Sequence, residues 1–120
     1  MKITPFLIII LHLNFLWGQD SYNLQQAQYY QREAEYYTKQ AQNYEREEEY
    51  YLRQATSNNN DISYSLRNKR YDLAYNYAAR LQNALEKTSS YCQKKTDAQN
   101  KATSYLDKAN TYLRKVKRKY

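Results

Sequence analysis

Glycine, proline and histidine are almost missing from this sequence, which holds one of each, and all three fall within residues 1–18. β-rich folds need many turns, and tight turns usually need Gly or Pro, so the rest of the chain is not expected to be β-rich. Without His it lacks the commonest acid–base catalyst and the usual zinc ligand sets. Without Gly it cannot form a phosphate-binding loop. We therefore expect no catalytic, cofactor-binding or metal residues, no cofactor, and a protein that is not an enzyme.

Long apolar runs are also scarce, and the one present is FLIIILHLNFLW at residues 6–17. Lys2 precedes the run and a small residue, Gly18, follows it, as is typical of a secretory signal peptide. About a dozen residues are too few to cross a bilayer, which takes roughly 20. We predict that residues 1–18 are a signal peptide cleaved at Gly18, with an uncleaved anchor as the alternative. Residues 19–120 are then a single secreted, extracellular domain.

Cysteine occurs once, as Cys92. An unpaired cysteine in a secreted protein indicates either an intermolecular disulfide or a free thiol. Cys92 is therefore the candidate for a disulfide that links a homodimer, and the alternative is a partly buried small side chain.

The residues that are abundant favour helix. Ala, Gln, Glu, Lys, Arg and Leu are good helix formers, and all sixteen tyrosines follow the leader. A heptad pattern starts at Ala27, and its first positions are mostly alanine while its fourth positions are tyrosine. The first row is Ala27, Ala34, Ala41, Glu48 and Ala55, and the second is Tyr30, Tyr37, Tyr44 and Tyr51.

A polar segment, TSNNND at residues 56–61, predicts a break because Asn, Ser and Asp favour turns and helix caps. Beyond it the stripe resumes with alanine, tyrosine and leucine, widened by Leu85, Cys92, Leu106 and Leu113. The fold class expected is all-α: an antiparallel helical hairpin with coiled-coil-like Ala/Tyr heptads. Its parts are a helix at about 20–56, a turn at 57–61 and a longer, overhanging helix at about 62–118. Because the stripe weakens at 88–90, the alternative is a three-helix bundle with a bend near Ser89.

Tyrosine is the one unusual chemical resource of the chain. A second row precedes the heptad tyrosines and lies about 100° round the helix, at the edge of the stripe. Exposed phenols bind partners readily and can be cross-linked oxidatively. The candidates for interaction or cross-linking are Tyr29, Tyr36 and Tyr50.

Charge is uneven along the chain. Residues 19–60 are net acidic and residues 61–120 strongly basic, which favours closure of a hairpin or head-to-tail association. Arg67, Lys69 and Arg70 form a basic pattern at which secretory proteases could cleave after Arg70. The basic amphipathic segment 98–120 could also lie on anionic membranes, although its apolar face is mostly Ala and Tyr, and no nucleic-acid partner is expected.

These features favour a non-enzymatic, self-associating helical component of an extracellular secretion or coat, of the seminal, salivary, silk or eggshell type. Its expected partners are itself, as a homodimer or higher oligomer, or another extracellular protein. The alternatives are a secreted signalling or regulatory factor and a membrane-active or antimicrobial helix. The biased composition is typical of a lineage-specific protein.

Overall fold

The fold is all-helical. A computed structural model describes residues 18–117, which form two long helices packed as a hairpin: α1, Gly18–Arg67, and α2, Tyr71–Lys117. The predicted all-α hairpin is thereby confirmed at this level. Asp20 and Asp72 lie in the first turns of α1 and α2, where a carboxylate suits the helix dipole, and Arg67 lies in the last turn of α1. Residues 1–17 of the predicted signal peptide lie outside the described residues.

Both helices contribute to two compact units. Within the described range, the end unit comprises residues 18–38 and 99–117, and the turn unit comprises Lys39–Ala98. The end unit has a small apolar cluster in which the buried side chains of Leu24 and Val116 pack with the partly buried Leu113.

Alanines of the predicted heptad rows form most of the core in each unit. They are 1–8% exposed at Ala27, Ala34, Ala41 and Ala55 of α1 and 2–6% exposed at Ala74, Ala84, Ala98 and Ala109 of α2. An alanine projects only a methyl group, so two helix backbones can approach closely at these levels. The chain therefore forms a helical core with few long aliphatic side chains.

The turn predicted at 57–61 is wrong, because α1 continues through it to Arg67. The heptad spacing continues too: Asn58 is partly buried and Ser65 is 2% exposed. Small hydroxyl side chains in this segment bond back to the helix, with Thr56 Oγ1 donating to the Leu52 carbonyl at 3.1 Å. Polar composition alone does not end a helix here, because Ser and Thr hydroxyls can donate hydrogen bonds to the carbonyl four residues earlier.

The chain reverses instead at Asn68–Arg70. The Arg70 N–H donates to the Ser65 carbonyl at 2.8 Å and the Lys69 N–H to the Leu66 carbonyl at 3.1 Å, which is a Schellman motif. Lys69 occupies the left-handed position with φ of 57°, where glycine is the usual residue. The hairpin therefore turns without glycine or proline.

The helix α2 is continuous through Ser89, so the three-helix alternative is not confirmed. Thr88 Oγ1 donates to the Ala84 carbonyl at 2.8 Å, which satisfies its hydroxyl inside the helix. The helices of 50 and 47 residues are nearly equal in length, so the expectation of a much longer second helix is wrong.

Candidate interaction surfaces

Tyrosine rings stack between the two helices in the end unit. Tyr30 lies 6.0 Å from Tyr105 and 5.8 Å from Tyr112 between ring centroids, and Tyr37 lies 5.7 Å from Tyr105. Their planes are within 9–22° of parallel. Centroid separations of this size are those of favourable aromatic pairs. Tyr22 extends the series with an edge contact to Tyr112 at 6.3 Å.

The turn unit repeats this arrangement on a smaller scale. Tyr91 of α2 lies between two tyrosines of α1, 5.7 Å from Tyr51 and 6.2 Å from Tyr44. The Tyr51 and Tyr91 rings are within 8° of parallel. In both units the heptad tyrosines pack across the helix pair and are only partly buried, so their hydroxyls can reach water.

The outer tyrosine row, Tyr29, Tyr36 and Tyr50, projects from α1. These rings are 47%, 54% and 48% exposed. Each also meets the ring of the next residue edge-on, at centroid distances of 5.0–5.1 Å. The negative charge of Glu33 raises the pKa of Tyr29. Interaction or cross-linking through these three tyrosines stays a prediction.

A row of lysines on α2 overlies the stacked tyrosines of the end unit. The ammonium of Lys101 lies 5.1 Å from the Tyr37 ring centroid, and that of Lys108 lies 5.1 Å from Tyr105 and 5.5 Å from Tyr30. Lys115 lies 4.5 Å from its own neighbour Tyr112. Distances below about 6 Å give favourable cation–π interactions. All three lysines are exposed.

The turn unit contains two further members of this lysine row. Lys87 lies 5.3 Å from the Tyr51 ring centroid, and Lys94 lies 4.9 Å from Tyr91 and 6.0 Å from Tyr44. The sequence signal for this row is a lysine every seven residues, at 87, 94, 101, 108 and 115. The total basic charge of α2 does not reveal this period, and the row was not among the sites predicted above.

Two charged side chains interrupt the alanine row of the turn unit. Lys95 Nζ donates to Glu48 Oε1 at 2.9 Å, and the two side chains are 20% and 18% exposed. The hydrogen bond from Lys95 lowers the pKa of Glu48, and a second one from the Cys92 thiol acts in the same direction. The bond to Glu48 also raises the pKa of Lys95. Lys95 is thus paired with Glu48 across the two helices.

Cys92 is exposed and is a free thiol. Its hydrogen bond to the Glu48 carboxylate raises the pKa of the thiol, because deprotonation would place two negative charges together. The thiolate is the reactive form of cysteine, so the Glu48 carboxylate lowers the reactivity of Cys92 by favouring the protonated thiol. Whether Cys92 links two chains stays a prediction.

A row of half-exposed leucines lies at the opposite edge of the alanine row from the tyrosines. The turn unit carries Leu52, Leu66 and Leu85, which are 52%, 50% and 49% exposed. Each stands four residues after a position of the alanine row, namely positions 48, 62 and 81, which lie seven residues after Ala41, Ala55 and Ala74. Residues four apart lie on the same helix face. Leu85 also lines a shallow depression with Ala78 and Leu81. Of the four residues expected to widen the stripe, Leu85, Cys92 and Leu106 are exposed, whereas Leu113 is partly buried against Leu24 and Val116.

The basic pattern Arg67, Lys69 and Arg70 coincides with the chain reversal. All three side chains are exposed. Gly18, the predicted cleavage position, is the first residue of α1. The basic pattern thus lies at the chain reversal, and cleavage there or at Gly18 stays a prediction.

Residues 18–117 contain no group of three or more His, Cys, Asp or Glu side chains placed to hold a metal ion. Within the same range, no helix combines the length and the apolar content that a bilayer-spanning segment needs. No protein-family model, no curated protein and no solved structure matches this chain.

Proposed function

We propose that this protein is a non-enzymatic, secreted helical component of an extracellular fluid or coat, and that it associates with a second copy of itself. The observation that carries the proposal is the leucine row of the turn unit. Three leucines there leave about half of each side chain in water, beside an exposed thiol at Cys92. The apolar run at 6–17 supports secretion.

A coiled-coil-like assembly suits this surface. Leu52 and Leu85 belong to different helices of the hairpin, so both helices of one copy offer an apolar edge. When the leucine edges of two hairpins meet, the four helices enclose the leucines as the core of a bundle. Cys92 lies in the same row as Leu85, seven residues away, and an isologous contact there brings two thiols together. Formation of the S–S bond then releases two protons and passes two electrons to an oxidant of the extracellular space, such as molecular oxygen or a low-molecular-weight disulfide.

Sedimentation of the secreted protein, residues 19–120, with and without reductant, tests this proposal. We expect dimers in the low micromolar range. Burying the exposed half of a leucine is worth about 1 kcal/mol, and a symmetric dimer contains each site twice. The double variant Leu52→Gln, Leu85→Gln therefore loses about 4 kcal/mol, a roughly thousandfold weaker dimer.

The matched control is Tyr75→Gln, which changes a residue that is 76% exposed and does not follow an alanine-row position by four residues. It should leave the dissociation constant within about threefold, roughly 0.7 kcal/mol. Cys92→Ser should remove only the reductant-sensitive fraction. A wild-type chain that stays monomeric at tens of micromolar, in either redox condition, would refute the proposal.

A second candidate function is a secreted factor processed after Arg70. It is favoured by the position of the basic pattern, since Arg67, Lys69 and Arg70 are exposed at the reversal between the helices. Mass spectrometry of the secreted protein would then find a fragment that begins at Tyr71. The variant Arg70→Ala should abolish this fragment, and a secreted protein that is intact in both cases excludes processing.

The membrane-active alternative has weaker support. The apolar residues of the basic segment include Ala98, Ala109 and Val116, which are 2–5% exposed. They become available to a lipid surface only after the helix pair opens.

A further inference from the structure

The lysine row of the end unit holds three positive charges in defined positions. Lys101, Lys108 and Lys115 are exposed, and each ammonium lies 4.5–5.1 Å from a tyrosine ring centroid. Among the side chains of the described range, the one ion pair is Lys95–Glu48. The three ammonium groups therefore rest on aromatic rings and are not neutralised by a carboxylate.

The spacing of these charges is regular. Seven residues of helix correspond to about 10.5 Å along the axis, and residues seven apart lie on nearly the same face. A ring beneath each lysine restricts its rotamers, so less conformational entropy is lost when the ammonium binds an anion. The three ammonium groups therefore form a preorganised row along one face of α2.

Aromatic surface lies beside this row. Tyr29 and Tyr36 are about half exposed, and they contact Tyr30 and Tyr37, the rings that lie beneath Lys108 and Lys101. Cations and exposed tyrosines therefore share one surface. A ligand that fits both is an extended polyanion that also offers flat, weakly polar faces.

We propose that this surface binds a linear sulfated polysaccharide. Its sulfate groups pair with Lys101, Lys108 and Lys115, and its sugar rings lie against Tyr29 and Tyr36. The lysine spacing is close to the length of one disaccharide in an extended glycan. Along the helix axis, duplex DNA places a phosphate of each strand every 3.4 Å or so, a much closer spacing than that of the lysines, so a nucleic acid would leave most phosphates without a cation. The assignment of the polysaccharide rests on the proposed extracellular location.

Titration calorimetry of the full chain with a heparin-derived oligosaccharide of defined length tests this binding. The triple variant Lys101→Gln, Lys108→Gln, Lys115→Gln should weaken binding at least tenfold. It should also reduce the slope of log affinity against log salt by about 2 to 3, one unit for each lost ion pair.

The matched control is the triple variant Lys39→Gln, Arg46→Gln, Arg53→Gln. It removes the same charge from exposed positions of α1, and within the described range none of these three cations lies over an aromatic ring. Binding should fall by less than threefold. Circular dichroism should show full helix content in both triple variants.

The tyrosine contribution is separable from the charge. The variant Tyr29→Ala, Tyr36→Ala should weaken binding several-fold and leave the salt slope unchanged. Equal losses in the two triple variants, no binding by the wild-type chain, or tighter binding of single-stranded DNA of equal charge would each overturn the proposal. Self-association is measured without any glycan, so a failure of either proposal leaves the other to be judged on its own result.

Discussion

Replacing Lys69 with glycine should stabilise the hairpin. Lys69 has φ of 57°, and a left-handed conformation costs an L-residue roughly 1–2 kcal/mol. Glycine escapes this cost but loses more backbone entropy on folding, by roughly 0.5–1 kcal/mol. The difference predicts that Lys69→Gly is about 1 kcal/mol more stable than Lys69→Ala, which loses the same charge and long side chain but keeps the strain.

The assay is thermal and urea denaturation followed by circular dichroism. For a domain of this size, 1 kcal/mol corresponds to roughly 4–8 °C in Tm. The β-branched variant Lys69→Val should be the least stable of the series, because its side chain fits the left-handed region worst. Equal midpoints for the glycine and alanine variants would show that Lys69 is not held in the left-handed conformation in solution, and the turn described above would be wrong.

Two further predictions concern the Glu48 cluster. The bond to Lys95 lowers the pKa of Glu48 and raises that of Lys95, so the pair stabilises the fold above the unfolded carboxyl pKa of about 4.3 and below the unfolded ammonium pKa of about 10.4. Urea denaturation should show that Glu48→Gln lowers the free energy of unfolding most at neutral pH, and that this difference shrinks below pH 4. The charge exchange Glu48→Lys, Lys95→Glu should recover most of the lost stability. No recovery would argue against a direct ion pair. Because Glu48 raises the pKa of Cys92, Glu48→Gln should speed alkylation of Cys92 by iodoacetamide at pH 8 several-fold, whereas Glu45→Gln should not, and equal rates would contradict the thiol–carboxylate bond.

Much of the fold follows from the period of the sequence. Ala27, Ala34 and Ala41 repeat every seven residues, and this period alone identifies them as buried positions. At 57–61 the polar composition predicts a turn, whereas the heptad register predicts that the helix continues, and the helix does continue. Asn58 and Ser65 are polar, yet they occupy heptad positions and lie inside α1. A turn is fixed by where the periodic pattern ends, and here it ends at Arg67.

The turn itself could not be predicted by residue type. Lys69 has a side chain that ordinarily avoids the left-handed region, and Asn68, a better candidate for it, precedes that position. Two tertiary features also could not be predicted from the sequence. The partnership of Glu48 with Lys95 depends on how two helices align, and the lysine–tyrosine contacts depend on which helix edge faces the rings of the other.

The pairing of Glu48 with Lys95 also bears on the alignment of the helices. A contact built from alanine and tyrosine every seven residues looks nearly the same after a slide of one heptad. Such a slide would place Glu48 against Thr88 or Ala102, and a largely buried carboxylate would lose its cation. Polar pairs at otherwise apolar heptad positions are known to specify register in this way. In a repetitive sequence this single ion pair distinguishes one alignment from its neighbours, and it would impose the same alignment on helices exchanged between two copies.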